Sequence, residues 1–415
     1  MKIAIVGSGI AGLTCAYLLN RQHDIQVFEA SDWIGGHTHT VDVQVYGRSY
    51  AIDTGFIVFN DWTYPNFIRL LEQIGVGFKP TEMSFSVSDP ASGVEYNGHD
   101  LNTLFAQRSN LLSPAFWSML RDILRFNRQS LDDLANNRIS ADTTLGQYLD
   151  SNGYGRRFIE HYIVPMGSAI WSMSLADMLG FPLQFFVRFC KNHGLLSVSD
   201  RPTWQVIEGG SRSYVAPLTE SFAERIRLNC PVSRVVRDQD GVTLHSAAGA
   251  ERFDKVIFAC HSDQALALLD QASEKESEIL GALPYANNDV VLHTDTRLLP
   301  KRKLAWASWN YRLGGPREQM AAVTYDMNIL QGIDSDTTFC VSLNQTAAID
   351  PSKILARFQY AHPQYSLAGT AAQARWEELL GAQHTYYCGA YWANGFHEDG
   401  VVSALRVARA FGETL

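Results

Sequence analysis

Six residues near the start of the chain, Gly7-Ser8-Gly9-Ile10-Ala11-Gly12, and one acid, Glu29, have the types and spacing that bind a dinucleotide. The pattern is GxGxxG. Gly7 permits a tight turn, Gly9 lets backbone approach a pyrophosphate, and Gly12 allows a helix to pack closely on a strand. A carboxylate at Glu29 can accept hydrogen bonds from both ribose hydroxyls of an adenosine. The elements that must position these groups are legible around them. A buried strand, Ile3 to Val6, precedes the turn, and a helix with Leu13, Ala16, Tyr17 and Leu19 at helical spacing follows it. That helix turns its free N–H groups on the phosphates. A second strand, IQVFEA, carries Glu29. These residues specify a dinucleotide site and leave NAD and FAD open.

Composition narrows the rest. With 415 residues, of which 46% are hydrophobic and 11% aromatic, the chain can fill two cores. A net charge of -9 argues against a nucleic-acid partner, which needs a basic face. The six cysteines, Cys15, Cys190, Cys230, Cys260, Cys340 and Cys388, form no CxxC pair; this suits reduced thiols and a cytoplasmic address. The apolar start runs straight into the glycine turn and reads as structure, not as a targeting signal. Between His161 and Arg188 the apolar run is broken by Pro165, Gly167, Gly180 and Pro182, which argues against a membrane-spanning helix. His37 and His39 form a His-x-His pair without further ligands nearby, so no metal is expected.

Beyond Glu29 the sequence reads ASDWIGGHTHT and then IDTGFIVFN; a central segment reads VIEGGSRSYV, and the chain closes with YYCGAYWANGFHEDGVVSAL. These stretches resemble the FAD-containing superfamily of monoamine oxidases, protoporphyrinogen oxidase and carotenoid desaturases. The resemblance implies a Rossmann-like α/β FAD-binding domain, discontinuous in sequence, with an α+β substrate domain. It implies that Ala30, Gly35, Gly36, His37 and Thr38 pass the pyrophosphate and ribityl chain, with Thr54, Gly55, Phe56 and Ile57 beyond them. Val232 would meet the adenine through its backbone. Gly389 would permit close approach, and Asp399, Gly400 and Val401 would open a helix aimed at the flavin, with Asp399 as its N-cap. Two departures stand out. His37 replaces the usual Arg after the glycine pair, and Phe396 stands where amine oxidases carry a cage tyrosine. No cysteine occupies the covalent flavin slot, so FAD is expected to be held non-covalently.

YIVPMGSAIWSMS, FPLQFFVRFCKNHGLL, LAWASWNY and VTYDMNILQ narrow the likeness to a bacterial flavoprotein group similar to the flavin-binding N-terminal region of plant cyclopropane fatty acid synthases. This implies a hydrophobic or lipid acyl substrate, or a fatty-acid methyltransferase as partner. LLSPAFWSMLRDILRFNRQSLDDL is expected to form a helix with Phe116, Leu120, Ile123, Leu124 and Leu131 on an apolar face and Arg121, Arg125 and Arg128 on another. Such a helix could line a tunnel or touch the inner membrane face as a peripheral contact.

The expected FAD domain comprises residues 1 to 80, 200 to 270 and 382 to 415. The substrate domain takes 81 to 199, with a helical insertion, and 271 to 381; SDPASGVEYNGHD is the expected crossing between domains. A helix is expected from about Arg212 to Ile226. The expected reaction is hydride removal to flavin from a lipid acyl chain. A soluble amine oxidase and a flavoprotein serving a methyltransferase are the alternatives. His397 and Glu398 are the candidate catalytic groups, with His193 as a second titratable candidate.

Overall fold

The opening strand Lys2–Val6 has no polar face, since Ile3, Ala4, Ile5 and Val6 are all buried; a strand covered on both sides reads this way. The computed structural model describes residues 1–314 and 320–415. It places this strand in the middle of a parallel sheet ordered Ile226–Arg227, Asp24–Phe28, Lys2–Val6, Lys255–Phe258 and Thr385–Tyr387. Val6 pairs with Phe28 on one side and Phe258 on the other, so three carboxyl ends come level where ligand crevices form in such sheets. On one face the helix Ile10–Leu19 packs beside the C-terminal helix His397–Ala410, with Cys15 Sγ 3.7 Å from the Ala404 carbonyl. The antiparallel meander Val232–Asp238, Gly241–Ser246 and Gly249–Phe253 covers the other face through Val235, Leu244 and Phe253.

A second, mixed sheet of seven strands runs in the order Ile354–Pro363, Tyr285–His293, Cys340–Leu343, Val323–Asp326, Trp309–Arg312, Phe85–Asp89 and Val94–Asn97. A helical block spanning Leu101 to Asn192 packs on one face, burying Phe126, Phe158 and Phe186. The ribbon Thr40–Val45 and Arg48–Asp53 packs on the other, through Val43 and Ile52 against Val290 and Val341. Asp53 ties the layers together. Its buried carboxylate accepts from Thr40 Oγ1 (2.5 Å), Ser211 N and Oγ (2.9 Å each, to Oδ1) and Gln331 Nε2 (2.9 Å). The fold is the expected mixed α/β class, a Rossmann-like parallel sheet beside an α+β unit.

Three local expectations are corrected. The stretch SDPASGVEYNGHD is no crossing: Phe85–Asp89 and Val94–Asn97 pair across a tight turn in which Asp89 accepts from Ala91 N and Gly93 takes φ +70°. Its turn residues close a hairpin, and Val87 and Tyr96 anchor it in the core. The helix expected from Arg212 to Ile226 is broken into 3-10 turns at Ser211–Tyr214 and Glu220–Arg225 around a short α-helix, Val215–Thr219. Pro217 has no N–H to bond back into a longer helix, and Phe222 leaves helical geometry to reach the core. On the helix Pro114–Ala135, Phe116 is buried as expected but Leu124 is 58% exposed. Within the segment 271 to 381, positions 315–319 lie outside the described residues.

Candidate cofactor and substrate site

The glycine turn leaves the first strand with Gly7 at φ +106°, where an added Cβ would sit 2.8 Å from the Ala259 carbonyl oxygen. A Cβ on Gly12 would stand 2.1 Å from the Gly7 carbonyl oxygen, so only glycine lets the helix start there. Around Gly9 there is nothing within 4 Å of such an atom. This bare backbone and the N-terminus of Ile10–Leu19 face one cavity of about 910 Å3. Glu29, just beyond the second strand, is held rigidly in its wall. Its Oε2 accepts from Ser8 N (2.9 Å) and Ser8 Oγ (2.6 Å), and its Oε1 from Ser31 N (2.9 Å) and Ser31 Oγ (2.6 Å).

Ser8, Ile10, Ala11, Ala30, Gly35, Gly36, His37, Thr54, Gly55, Phe56, Ile57, Val232 and Gly389 line the same cavity. Gly36 closes on the turn, where a Cβ would lie 3.1 Å from the Gly9 Cα. Gly12 and Thr38 stand behind the wall. Thr38 Oγ1 bonds the Tyr214 hydroxyl and lies 3.0 Å from His397 Nε2.

The C-terminal helix differs from expectation. It starts at His397, with Phe396 as N-cap. Asp399 is the third residue of the helix, not its cap. Its buried carboxylate reaches back to accept from Phe396 N (2.9 Å) and Asn394 N (3.1 Å), and burial pushes it up to about 6. Gly400 donates its N–H to the Phe396 carbonyl (3.1 Å), and a Cβ there would lie 2.7 Å from Ile10 Cγ2. Its smallness therefore serves helix-to-helix approach. Val401 is buried in the core. None of Asp399, Gly400 and Val401 is in the cavity wall; Phe396 and His397 are.

Of the two catalytic candidates, His397 reaches the cavity wall and Glu398 does not. Glu398 faces away from the cavity, and its carboxylate accepts from Asn66 N (3.1 Å), Asn66 Nδ2 (2.6 Å) and Phe67 N (2.8 Å). It thereby caps the helix Pro65–Gln73. His397 is stacked on Phe56 at 3.4 Å between ring centroids, and its Nε2 is taken up by Thr38 and by the Tyr214 hydroxyl at 3.2 Å. Burial, and then nearby His37, hold it neutral, well below the ordinary imidazole range. His193 lines a separate, smaller cavity, stacked on Phe189 at 3.9 Å, and burial lowers it to about 4.

Several wall residues were not found from sequence. His261 follows the strand Lys255–Phe258, and its place at the carboxyl end of a parallel strand was a usable signal. Tyr360 and His362 on Ile354–Pro363 offered none. At the far end the wall is Ile57, Ile170, Trp171, Val290, Trp309, Tyr325, Leu330 and Leu343. Among the described residues the lining contains no Lys, Arg or Asp, and its one carboxylate is Glu29 at the opposite end. The Cys260 thiol, also in the wall, is raised to about 12 by burial and stays protonated.

A dinucleotide with a flavin fits these groups: a tight turn whose bare Gly9 backbone lies open to the cavity, an acid placed for ribose hydroxyls, and a long chamber beyond. The sequence profile of the family described as flavin containing amine oxidoreductase matches residues 10–327. Zeta-carotene desaturase of Solanum lycopersicum is 36% identical over 76 residues, 18% of this chain and 12% of that protein, so the match spans a small part of the relative. The solved structure of a CLA-producing fatty acid isomerase from P. acnes superposes with a TM-score of 0.70 at 16% identity, over 99% of this chain and 98% of that one. Putrescine oxidase bound to putrescine gives 0.68 at 15% identity, over 99% of each chain. At these identities the likeness establishes the fold. The chain belongs to the flavin containing amine oxidoreductase family and is an FAD-dependent oxidoreductase.

Proposed function

We propose that the protein oxidises an uncharged, apolar substrate, a lipid acyl chain or related hydrocarbon. The observation that carries this reading is the far end of the cavity, walled by aliphatic and aromatic side chains with no charged group among the described residues. An ammonium group there would lose its hydration without a carboxylate to replace it, which is costly. A hydrocarbon chain gains from the same wall. FAD, when bound, supplies the two-electron acceptor. The chain's own residues divide the remaining work. The glycine turn and Glu29 grip the dinucleotide, His397 and Phe56 build a rigid neutral wall, and Trp171, Trp309 and Tyr325 orient the substrate and exclude water. The short match to zeta-carotene desaturase and the fold shared with a fatty acid isomerase agree with this substrate class, and the fold shared with putrescine oxidase agrees equally with an amine. The likeness to the flavin region of plant cyclopropane fatty acid synthases supports the acyl class.

Peripheral contact with a membrane belongs to this reading. Among the described residues no helix is long and apolar enough to cross a membrane. Trp117, Arg121, Leu124 and Arg128 follow one another along one exposed face of Pro114–Ala135, next to exposed Leu111 and Leu112. Apolar side chains interleaved with arginines suit an anionic lipid surface locally, against the chain's net charge of -9.

The test is anaerobic bleaching of the visible flavin band with two panels, vesicle-borne unsaturated or cyclopropane acyl lipids and polyenes, and a set of primary amines. Bleaching by the lipid panel alone is expected. Cation–π contact with Phe396, Tyr365 and Trp171 is the feature that favours an amine, and bleaching by amines alone would establish that second reading. A flavin reduced by neither panel would point to a structural cofactor serving a fatty-acid methyltransferase.

A further inference from the structure

The cofactor end of the cavity has a charge deficit. A diphosphate brings two negative charges, and the helix Ile10–Leu19 offers only the partial positive charge of its N-terminus. The lining contains no lysine or arginine among the described residues, and Glu29 adds a further negative charge. A buried anion without a counter-charge is expensive. The residue after the glycine pair is His37.

His37 does not stand alone. Its ring centroid lies 5.5 Å from that of His362 and 6.3 Å from that of His261, and all three side chains line the cavity that holds the glycine turn. They arrive from three separate segments: the loop beside Gly9, the carboxyl end of Lys255–Phe258, and the edge strand Ile354–Pro363. His37 Nε2 has no hydrogen-bond partner. Asn288 Nδ2 donates to His362 Nδ1 at 3.1 Å, which leaves the proton of the neutral ring on Nε2. Among the described residues no group of three such side chains is arranged to hold a metal ion.

We propose that His37, His261 and His362 form an anion site for the FAD diphosphate and supply its counter-charge by taking a proton from solvent when the cofactor binds. Without an anion the three rings are neutral. Burial first, then the other two imidazoles, lower His37 to about 3. Burial and His261 lower His362 to about 4, and burial lowers His261, which Asp263 opposes. The other titratable groups facing the cluster, Tyr285 stacked on His261 at 4.1 Å, Tyr360, Cys260, His39 and His397, are uncharged. A diphosphate placed among the rings reverses the balance. The loaded site then binds more protons than the free one, so FAD affinity falls as pH rises.

The proposal concerns FAD binding and is independent of which substrate is oxidised. It is tested by titrating FAD into protein stripped of flavin, by calorimetry at pH 6, 7 and 8 in two buffers of different ionisation enthalpy. Uptake of about one proton is expected, with the dissociation constant rising toward tenfold per pH unit. His37→Arg, which carries a permanent charge, should flatten that slope while retaining FAD. A wild-type titration with no proton exchange and a flat dissociation constant would overturn the proposal, whatever the variants do. So would a slope left unchanged when all three histidines are replaced by Gln in a protein that still binds FAD.

Discussion

The two ends of the cavity are made of different material. The cofactor end is backbone: a glycine turn, a helix terminus and one acid locked by four hydrogen bonds, all supplied within the first 36 residues apart from the histidines that face them. The far end is side chain: single residues from the helical block, from four strands of the second sheet, and Ile57 and Leu330 from the segments beside them, aligned by pairings such as Trp309 with Phe85. A backbone site tolerates almost no added atoms, whereas a side-chain site can be repacked. The first fixes which cofactor is held, and the second fixes what is brought to it.

Breaking the backbone end should cost most. Gly12→Ala places a methyl against the Gly7 carbonyl with no flexible neighbour to yield. A loss of about 3 kcal/mol or more is expected, read as colourless or insoluble protein. Asp53→Asn acts outside the cavity, where Thr40, Ser211 and Gln331 are tied together. It turns an amide N–H2 on groups that are all donors, and should lower stability by about 2–3 kcal/mol in denaturant unfolding. Glu29→Gln sets an amide N–H2 against the backbone N–H of Ser8 or Ser31, so it should lower stability by about 1–2 kcal/mol and weaken FAD about 10–100-fold in fluorescence titration, leaving substrate preference unchanged. Glu398→Gln should cost about 1 kcal/mol through the cap of Pro65–Gln73, with an unaltered rate of flavin reduction. A large fall in that rate would return Glu398 to the chemistry.

The smallest effect is expected from pH, because two sets of groups oppose each other. His37, His193, His293 and His362 are lowered from 6.5 to about 3 or 4, chiefly by burial. Their neutral burial contributes stability that is present above pH 6.5 and lost as pH falls toward those values. Asp53, Asp326 and Asp399 are raised from 3.8 to about 6, also by burial. Their contribution is present below pH 3.8 and lost as pH rises through 6. A shallow pH profile of the melting temperature is expected between 4 and 6, with a net rise from 6 toward 7 as the histidines complete their deprotonation.

The same contrast explains what the sequence disclosed. The glycine turn and Glu29 were legible because each works through its immediate neighbours. Asp399 was misplaced because an acid before an apolar run reads as an N-cap, while here the chain enters the helix three residues earlier and the carboxylate folds back on Phe396. Glu398 looked chemical from its place beside that helix start. Its partners, Asn66 and Phe67, are more than 300 positions away, and no local pattern announces them. The apolar far end was legible only at Ile57, which was expected along the cofactor path; Trp171 and Leu343 come beside it only when the second sheet and the helical block assemble.

The central claim is that the far end accepts an uncharged chain and refuses a cation. The direct measurement is titration of the FAD-loaded protein with a long-chain alcohol and with the primary amine of equal length, followed through the flavin spectrum at neutral pH. The neutral ligand is expected to bind at least about tenfold more tightly. An amine that binds as tightly as the alcohol, or more so, would contradict the account.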